Sequence, residues 1–194
     1  MEYTTLSLAD VAVALDDVSD DVQSTFGGLD VRQLNWRPDA TRWSVAQCLE
    51  HLLAANRLMV ASATAVLEDG PTSIWQRVPV IPGLFGRMVI RSQAPGAARK
   101  YTASPRAQPA ASGIPADVIP RFVEQHSELA AWIAALDDRD AGRAIMMSPF
   151  SKVIAYSVLD GCRLVVAHDH RHVEQARHVT RSPGFPGTTR VRET

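Results

Sequence analysis

The sequence has few of the features that mark secreted or membrane proteins. It holds only two cysteines, Cys48 and Cys162, and both lie among apolar residues without a CxxC spacing. This favours two buried thiols over a disulfide, a zinc knuckle or a redox motif. No apolar run approaches the roughly 18 residues of a membrane-spanning helix. The N-terminal residues also lack the basic and apolar regions of a signal peptide. We therefore expect a cytoplasmic protein without a membrane partner.

Net charge is also nearly absent, because 20 basic residues balance 21 acidic ones and leave a charge of -1. Such a balance provides no overall attraction for nucleic acid, so we expect no nucleic-acid partner. The 194 residues, 46% of them hydrophobic, are enough for one domain with a substantial core. The composition is that of a globular protein and excludes a disordered chain.

Apolar residues recur every three to four positions in four long segments, which predicts four amphipathic helices. No convincing strand pattern is present, so the predicted fold class is an all-α four-helix bundle. We assign residues 1–181 to this bundle. Residues 182–194, rich in Gly, Pro, Thr and Arg, are expected to form a C-terminal tail. The predicted helices run from Leu6 to Phe26, from Val45 to Glu68 with a capping box at Ser44, from Asp117 to Leu136, and from Ser151 to Val179.

The segment 71–120 differs from the rest, because it holds eight of the twelve prolines. Proline interrupts helices, so we expect a long loop with one short helix near Phe85–Ser92. In a bundle, such a crossover lets two consecutive helices run parallel. We therefore predict that helices two and three run parallel. The segment is also locally basic, and these residues could form a solvated face or bind a carboxylate of a thiol or cofactor: Arg87, Arg91, Arg99 and Lys100. Trp75 could line a pocket.

Histidines are concentrated in the last predicted helix, which holds four of the six. His168 and His172 lie one turn apart on its apolar face and should point inward, whereas His170 and His178 should face solvent. Two inward imidazoles could bind a metal ion or be hydrogen-bonded core histidines. His51 would reach the same level if the second and fourth helices were antiparallel. Three protein ligands with positions left open are typical of a catalytic metal site.

Other side chains could support such a site. Gln47 lies one turn before His51 and could orient it or a bound water, although its role as a helix cap is equally plausible. His126 should face the core, either as an outer-sphere partner or proton acceptor or as a structural histidine. Arg171 could bind a substrate carboxylate or form a surface ion pair. The remaining tryptophans are expected to serve mainly in packing: Trp36, Trp43 and Trp132.

Two stretches together resemble motifs of the DinB superfamily. Residues 43–52, WSVAQCLEHL, resemble its second-helix motif, in which an aromatic residue precedes a helix with one histidine. Residues 167–175, AHDHRHVEQ, are similar to its last-helix motif, and the resemblance covers residues 6–180. The resemblance implies an up-down-down-up bundle, frequent homodimers, and one divalent metal ion. The implied ligands are His51, His168 and His172.

The resemblance also suggests a reaction. Some members resemble thiol-dependent S-transferases, which join a low-molecular-weight thiol such as bacillithiol or mycothiol to an electrophile. We therefore expect a metal-dependent enzyme that transfers a small-molecule thiol, with zinc or nickel as the first candidates for the metal and iron or copper next. Metal-dependent hydrolysis, a non-catalytic or stress-related metal-binding bundle, and a bundle without metal are the alternatives.

Overall fold

Four long helices form the body of the protein in the computed structural model, which describes residues 1–70, 76, 81–96 and 103–187. The fold is mostly helical, as predicted. The long helices are α1 (Leu8–Phe26), α3 (Val45–Asp69), α5 (Val118–Ala134) and α7 (Val158–Thr180). The shorter elements are α2 (Val31–Asn35), α4 (Ile81–Gln93), α6 (Asp138–Arg143) and 3₁₀ turns at Tyr3–Thr5 and Pro105–Ala107.

Helix starts are fixed by side chains that satisfy the unpaired backbone N–H groups of the first turn. Ser44 begins α3, where its hydroxyl accepts from the backbone N–H of Gln47, and the Gln47 side chain accepts from the backbone of Ser44. This reciprocal capping box was predicted from the sequence. Ser7 and Asp10 form the same arrangement at the start of α1.

The last long helix begins at Val158 and not after Ser151, as the sequence pattern had suggested. A short antiparallel sheet precedes it, formed by β1 (Ile145–Met147) and β2 (Ala155–Ser157). Ser157 then caps the helix. The expectation of an all-helical chain missed these strands because three residues are too few for an apolar–polar alternation to be recognised.

The short helix expected near Phe85–Ser92 exists as the longer α4. It packs against α7 and β2. Gly86 allows this close approach, because a Cβ at that position would collide with the Asp160 carboxylate. The predictions for Trp75, Arg99 and Lys100 fall on residues outside those that the structure describes.

The core consists of two apolar clusters, each supplied by all four long helices. We call them the distal core, formed by one half of each helix, and the site core, formed by the other half. Representative members of the distal core are Leu15, Met59, Ile133 and Val165. Representative members of the site core are Val22, Leu52, Phe122 and Val173. Cys48 and Cys162 are both buried free thiols, as expected.

Contacts between α3 and α5 follow the same order along both helices. The Leu53 carbonyl accepts a hydrogen bond from the Gln125 side chain, and farther along, Ala63 and Ile133 line one small apolar cavity. This order is the one expected of parallel neighbours. The complete up-down-down-up order, with its crossover through residues outside the described part, stays a prediction.

The beginning of the predicted tail packs on the bundle. Phe185 makes an edge-to-face contact with Trp36 at 5.5 Å between ring centroids, and the buried Gln33 side chain donates to the Pro186 carbonyl. Residues 188–194 lie outside the described part. Among the described helices, none is both long and apolar enough to cross a membrane.

Candidate metal centre

Three histidines from two helices meet at the boundary of the site core. The potential ligand atoms of His51, His168 and His172 all lie within 4.8 Å of one another. The Nε2 atoms of His51 and His168 are 3.4 Å apart. His51 is 5% exposed, whereas the other two are partly exposed. The three imidazoles therefore surround a common space that has one side towards solvent.

Helix geometry explains this convergence. His168 and His172 are one turn apart on α7, and their ring centroids are 4.6 Å apart. Along α3 and α7 the contacts run in opposite orders: His51 meets this pair, and farther along α3 Met59 lies beside Gly161, which comes earlier on α7. The antiparallel relation needed to bring His51 to the pair is therefore present.

A backbone carbonyl fixes the orientation of His51. Its Nδ1 lies 2.7 Å from the Ala107 carbonyl oxygen. Because a carbonyl can only accept, Nδ1 carries the proton and donates it, which leaves the lone pair on Nε2 facing the other two rings. Such a partner is typical of metal-binding histidines. The sequence could not reveal this interaction, since any residue supplies a backbone carbonyl.

Gln47 helps to hold the Ala107 carbonyl in place through neighbouring residues. Its amide donates to the carbonyls of Ala110 and Ala111, while Glu50 accepts from the Ala110 backbone N–H. These bonds attach the segment containing Ala107 to the first turns of α3. Gln47 thus serves as helix cap and as anchor of this segment, and its hydrogen bonds within the described part of the chain go to Ser44, Ala110 and Ala111.

The electrostatic surroundings keep the three imidazoles neutral. Burial lowers the pKa of His51, and it lowers the pKa of His168 well below its usual value, with further contributions from the neighbouring imidazoles and Arg171. Burial, His51 and Arg171 lower the pKa of His172 to about 3. Neutral imidazoles present the lone pairs that a metal ion needs.

One ring atom in the cluster has no regular hydrogen bond. His172 Nδ1 is buried and makes no such bond among the described residues, although the neighbouring Gln175 side chain interacts with the ring. A buried polar atom of this kind is unusual in a folded protein and is commonly explained by a bound ion or water. It agrees with a set of three converging donors that could hold one divalent cation.

Trp43 forms an aromatic wall of the cluster. Its ring centroid lies 4.9 Å from that of His51 and 5.7 Å from that of His172, on which it stacks at 28°. Its side chain is partly exposed. Trp43 therefore packs, as expected from the sequence, but against the imidazoles themselves.

Comparison with known proteins agrees with this architecture. The model of the DinB superfamily matches residues 14–176, more than half of the sequence. The chain belongs to the DinB superfamily. Among solved structures, YfiT from Bacillus subtilis, described as "a probable metal-dependent hydrolase with an unusual four-helix bundle topology", matches with a TM-score of 0.55 at 16% identity. The alignment covers 92% of this chain and 89% of YfiT, and at this identity the likeness shows the fold alone. No curated protein matches in sequence.

In this DinB-superfamily chain, the remaining histidines of α7 differ in exposure. His178 is exposed, as predicted, and lies 3.6 Å from Glu174. His170 was expected to face solvent, but it is half-buried, with Nδ1 3.0 Å from the Tyr3 hydroxyl. The 3₁₀ turn that carries Tyr3 covers this side of the helix, which helical periodicity alone could not indicate.

Arg171 lies between His168 and His172 in sequence. Its guanidinium donates to the Ser92 carbonyl at the end of α4. Its predicted roles, binding a substrate carboxylate or forming a surface ion pair, stay predictions. Its charge nevertheless reaches the site, where it lowers the pKa of His168 and His172.

His126 points inward, as predicted, but its ring nitrogens contact Asp169 and the Phe122 carbonyl, which lie outside the three-histidine cluster. Nε2 lies 2.9 Å from Asp169 Oδ2, and Nδ1 lies 3.0 Å from the Phe122 carbonyl. Asn56 donates to both oxygens of the same carboxylate at 3.3 Å. Sequence reasoning missed Asn56 and Asp169. The available signal was that each polar residue occupies an apolar-stripe position of its helix.

Proposed function

We propose that the chain is a metal-dependent enzyme that binds one divalent ion through His51, His168 and His172 and transfers a low-molecular-weight thiol to an electrophile. Zinc and nickel are the first candidates, because imidazole suits both. The carrying observation is the convergence of three neutral imidazoles within 4.8 Å on a partly open cluster. Three protein ligands with a free position are typical of catalytic sites.

Each part of the site has a defined task in this proposal. When bound, a divalent ion lowers the pKa of a coordinated thiol or water and thereby supplies a nucleophile at neutral pH. The Ala107 carbonyl holds His51 in the tautomer that presents Nε2. Trp43 shields two of the imidazoles from water on one side. His168 and His172 are partly exposed, which leaves access for small molecules.

The thiol would have to come from outside the protein. Burial raises the pKa of the Cys162 thiol to about 12 and also raises that of Cys48, so neither supplies a thiolate at neutral pH. Among the described residues, the metal-ligand cluster contains histidines only. A coordinated thiol needs no separate carboxylate base, because a metal-bound thiol loses its proton outright.

Hydrolysis is the second candidate. It is favoured by the structural likeness to YfiT, a protein described as a probable metal-dependent hydrolase. The same three imidazoles would serve, with water as the nucleophile. The two reactions differ in whether turnover requires an added thiol.

Metal content tests the first part of the proposal. Protein purified without a histidine tag should contain about one divalent ion per chain by elemental analysis. His172→Ala should lose that ion, whereas His178→Ala, on the same helix but exposed, should keep it. A parent protein free of metal after growth with added zinc and nickel, or equal losses in both variants, would contradict the proposal.

Activity measurements separate the reactions. The loaded protein should accelerate the reaction of low-molecular-weight thiols with an alkylating dye, and chelation should abolish the acceleration. Hydrolysis of activated esters without any thiol would instead favour the second candidate. Metal binding with neither activity would favour a non-catalytic bundle.

A further inference from the structure

A layer of polar side chains crosses the core between the distal core and the site core. Three of the long helices each contribute one member at a position where the apolar stripe requires a hydrophobic residue. All are buried, with Asn56 at 1% exposure and His126 and Asp169 at 0%. The layer consists of Asn56 on α3, His126 on α5 and Asp169 on α7.

Asp169 is the centre of this layer. Its carboxylate accepts hydrogen bonds from Asn56 on α3, and its Oδ2 lies 2.9 Å from Nε2 of His126 on α5. A carboxylate is expensive to bury unless it is paired and hydrogen-bonded, so the position of Asp169 is tied to both neighbouring helices. Apolar packing on either side of the layer lacks this directionality.

The position of Asp169 also determines where the two histidines of α7 lie. Asp169 follows His168 directly and precedes His172 by three residues. A slip of one residue along an α-helix moves a side chain by about 1.5 Å and turns it by about 100°. Such a slip would remove both imidazoles from His51. Functional sites require placement within about 0.5 Å, which is finer than apolar packing alone ensures.

We propose that Asn56, His126 and Asp169 are positioning residues that fix the height and rotation of α7, so that His168 and His172 meet His51. The proposal rests on the proposed metal-binding function for its affinity measurement. It assigns these residues no contact with the ion or with a substrate. Buried polar groups that set the register of packed helices are the best-attested use of such interactions.

Two substitutions loosen the layer to different degrees at nearly constant volume. Asp169→Asn replaces one acceptor oxygen by an NH₂ donor that faces the NH₂ donor of Asn56, and it removes the carboxylate charge beside His126 Nε2. Asn56→Leu removes only the link to α3 and leaves the His126–Asp169 pair, which makes it the milder variant if Asp169→Asn fails to fold. Ile133→Val, in the distal core on α5, is the control, because it weakens packing without touching the layer.

Zinc affinity, measured by competition with a chromophoric chelator, is the first measurement. We expect Asp169→Asn to weaken it by about tenfold or more, the usual range for groups that orient metal ligands. Asn56→Leu should weaken it by less, and Ile133→Val should leave it within about twofold at a matched loss of stability. The absorption spectrum of bound cobalt should change in the two layer variants only. Unchanged affinity in folded Asp169→Asn and Asn56→Leu, or an equal loss in Ile133→Val, would overturn the proposal.

A second measurement needs no metal. Trp43 contacts one imidazole on α3 and one on α7, so a ¹⁹F label on its indole, assigned with Trp43→Phe, reports their relative position in the metal-free protein. We expect its resonance to move in Asn56→Leu and Asp169→Asn but not in Ile133→Val. If the parent protein binds no zinc, the proposed function fails and this resonance alone decides the positioning proposal. An unmoved resonance in both layer variants would then refute it.

Discussion

The distal core and the site core use the same four helices for different purposes. In the distal core, side chains such as Met59 and Ile133 line a cavity of about 10 Å³, and the residues around it are nearly all hydrophobic. The site core borders three imidazoles, including the His172 ring with its buried Nδ1. The histidine cluster is thus confined to one half of the bundle, and the polar layer separates it from the distal core.

This difference explains how a small bundle can stay folded although its histidine cluster lowers the free energy of unfolding. Burying His51 and much of His168 and His172 costs free energy, and a buried polar group left unsatisfied costs about 1–3 kcal/mol. The distal core supplies hydrophobic stabilisation that does not depend on metal. If this division holds, changes in the two halves should separate stability from metal binding.

The largest expected effect is the loss of metal binding in His51→Ala. Removing one of three ligands should abolish measurable zinc binding in calorimetry, while the distal core keeps the protein folded. In the parent, zinc at 100 times the dissociation constant should stabilise the fold by about 2.7 kcal/mol. The variant should show no such response in thermal unfolding. A zinc-dependent rise in melting temperature equal to that of the parent would mean that His51 is not a ligand.

The converse change is Ile133→Ala in the distal core. Ile133 is fully buried, so its truncation should lower the free energy of unfolding by about 2–5 kcal/mol. Zinc affinity of the folded protein should stay within about twofold of the parent. Denaturant unfolding and chelator competition measure the two quantities separately. A large loss of affinity here would show that the two halves are coupled and that the division is wrong.

The four amphipathic segments were predictable from the sequence because hydrophobic periodicity depends on local spacing. The start of α3 was predictable too, since Ser44 and Gln47 lie at capping-box spacing. The strands before α7 were not, because their pairing is a tertiary contact between three-residue segments. At the site, spacing and family resemblance suggested the three histidines. The partner of His51 is a backbone carbonyl, and the role of Asp169 depends on helices far away in sequence.

Acid should affect the two halves differently. The pKa values of His51, His168 and His172 lie below those of unfolded histidine, mainly because of burial. Their contribution to the stability of the metal-free protein is therefore complete above about pH 6.5 and decreases as the pH falls below that value. Replacing all three by glutamine should flatten this part of the pH dependence of unfolding. An unchanged slope would show that other groups cause it.

Replacing Arg171 tests the direction of these pKa shifts. Because its charge lowers the pKa of His168 and His172, Arg171→Met should raise both values. The pH at which these imidazoles protonate in the metal-free protein, followed by the NMR shifts of their ring protons, should therefore move upward. Arg177→Met, six residues farther along α7 and paired with Asp21, is the matched control and should not move it. A downward shift in Arg171→Met would contradict the assignment.

The smallest expected effect is a difference in zinc affinity between variants of two helix caps, one in each half of the bundle. Ser7 caps α1 beside the distal core, and Ser44 caps α3 beside the site. Either serine replaced by alanine should lower the free energy of unfolding by about 1 kcal/mol. Only Ser44→Ala should also weaken zinc binding, by less than about tenfold, because it loosens the first turn of α3 from which Gln47 and His51 hold the Ala107 segment. Equal zinc affinities in the two variants, measured by chelator competition, would show that the start of α3 does not control the orientation of His51.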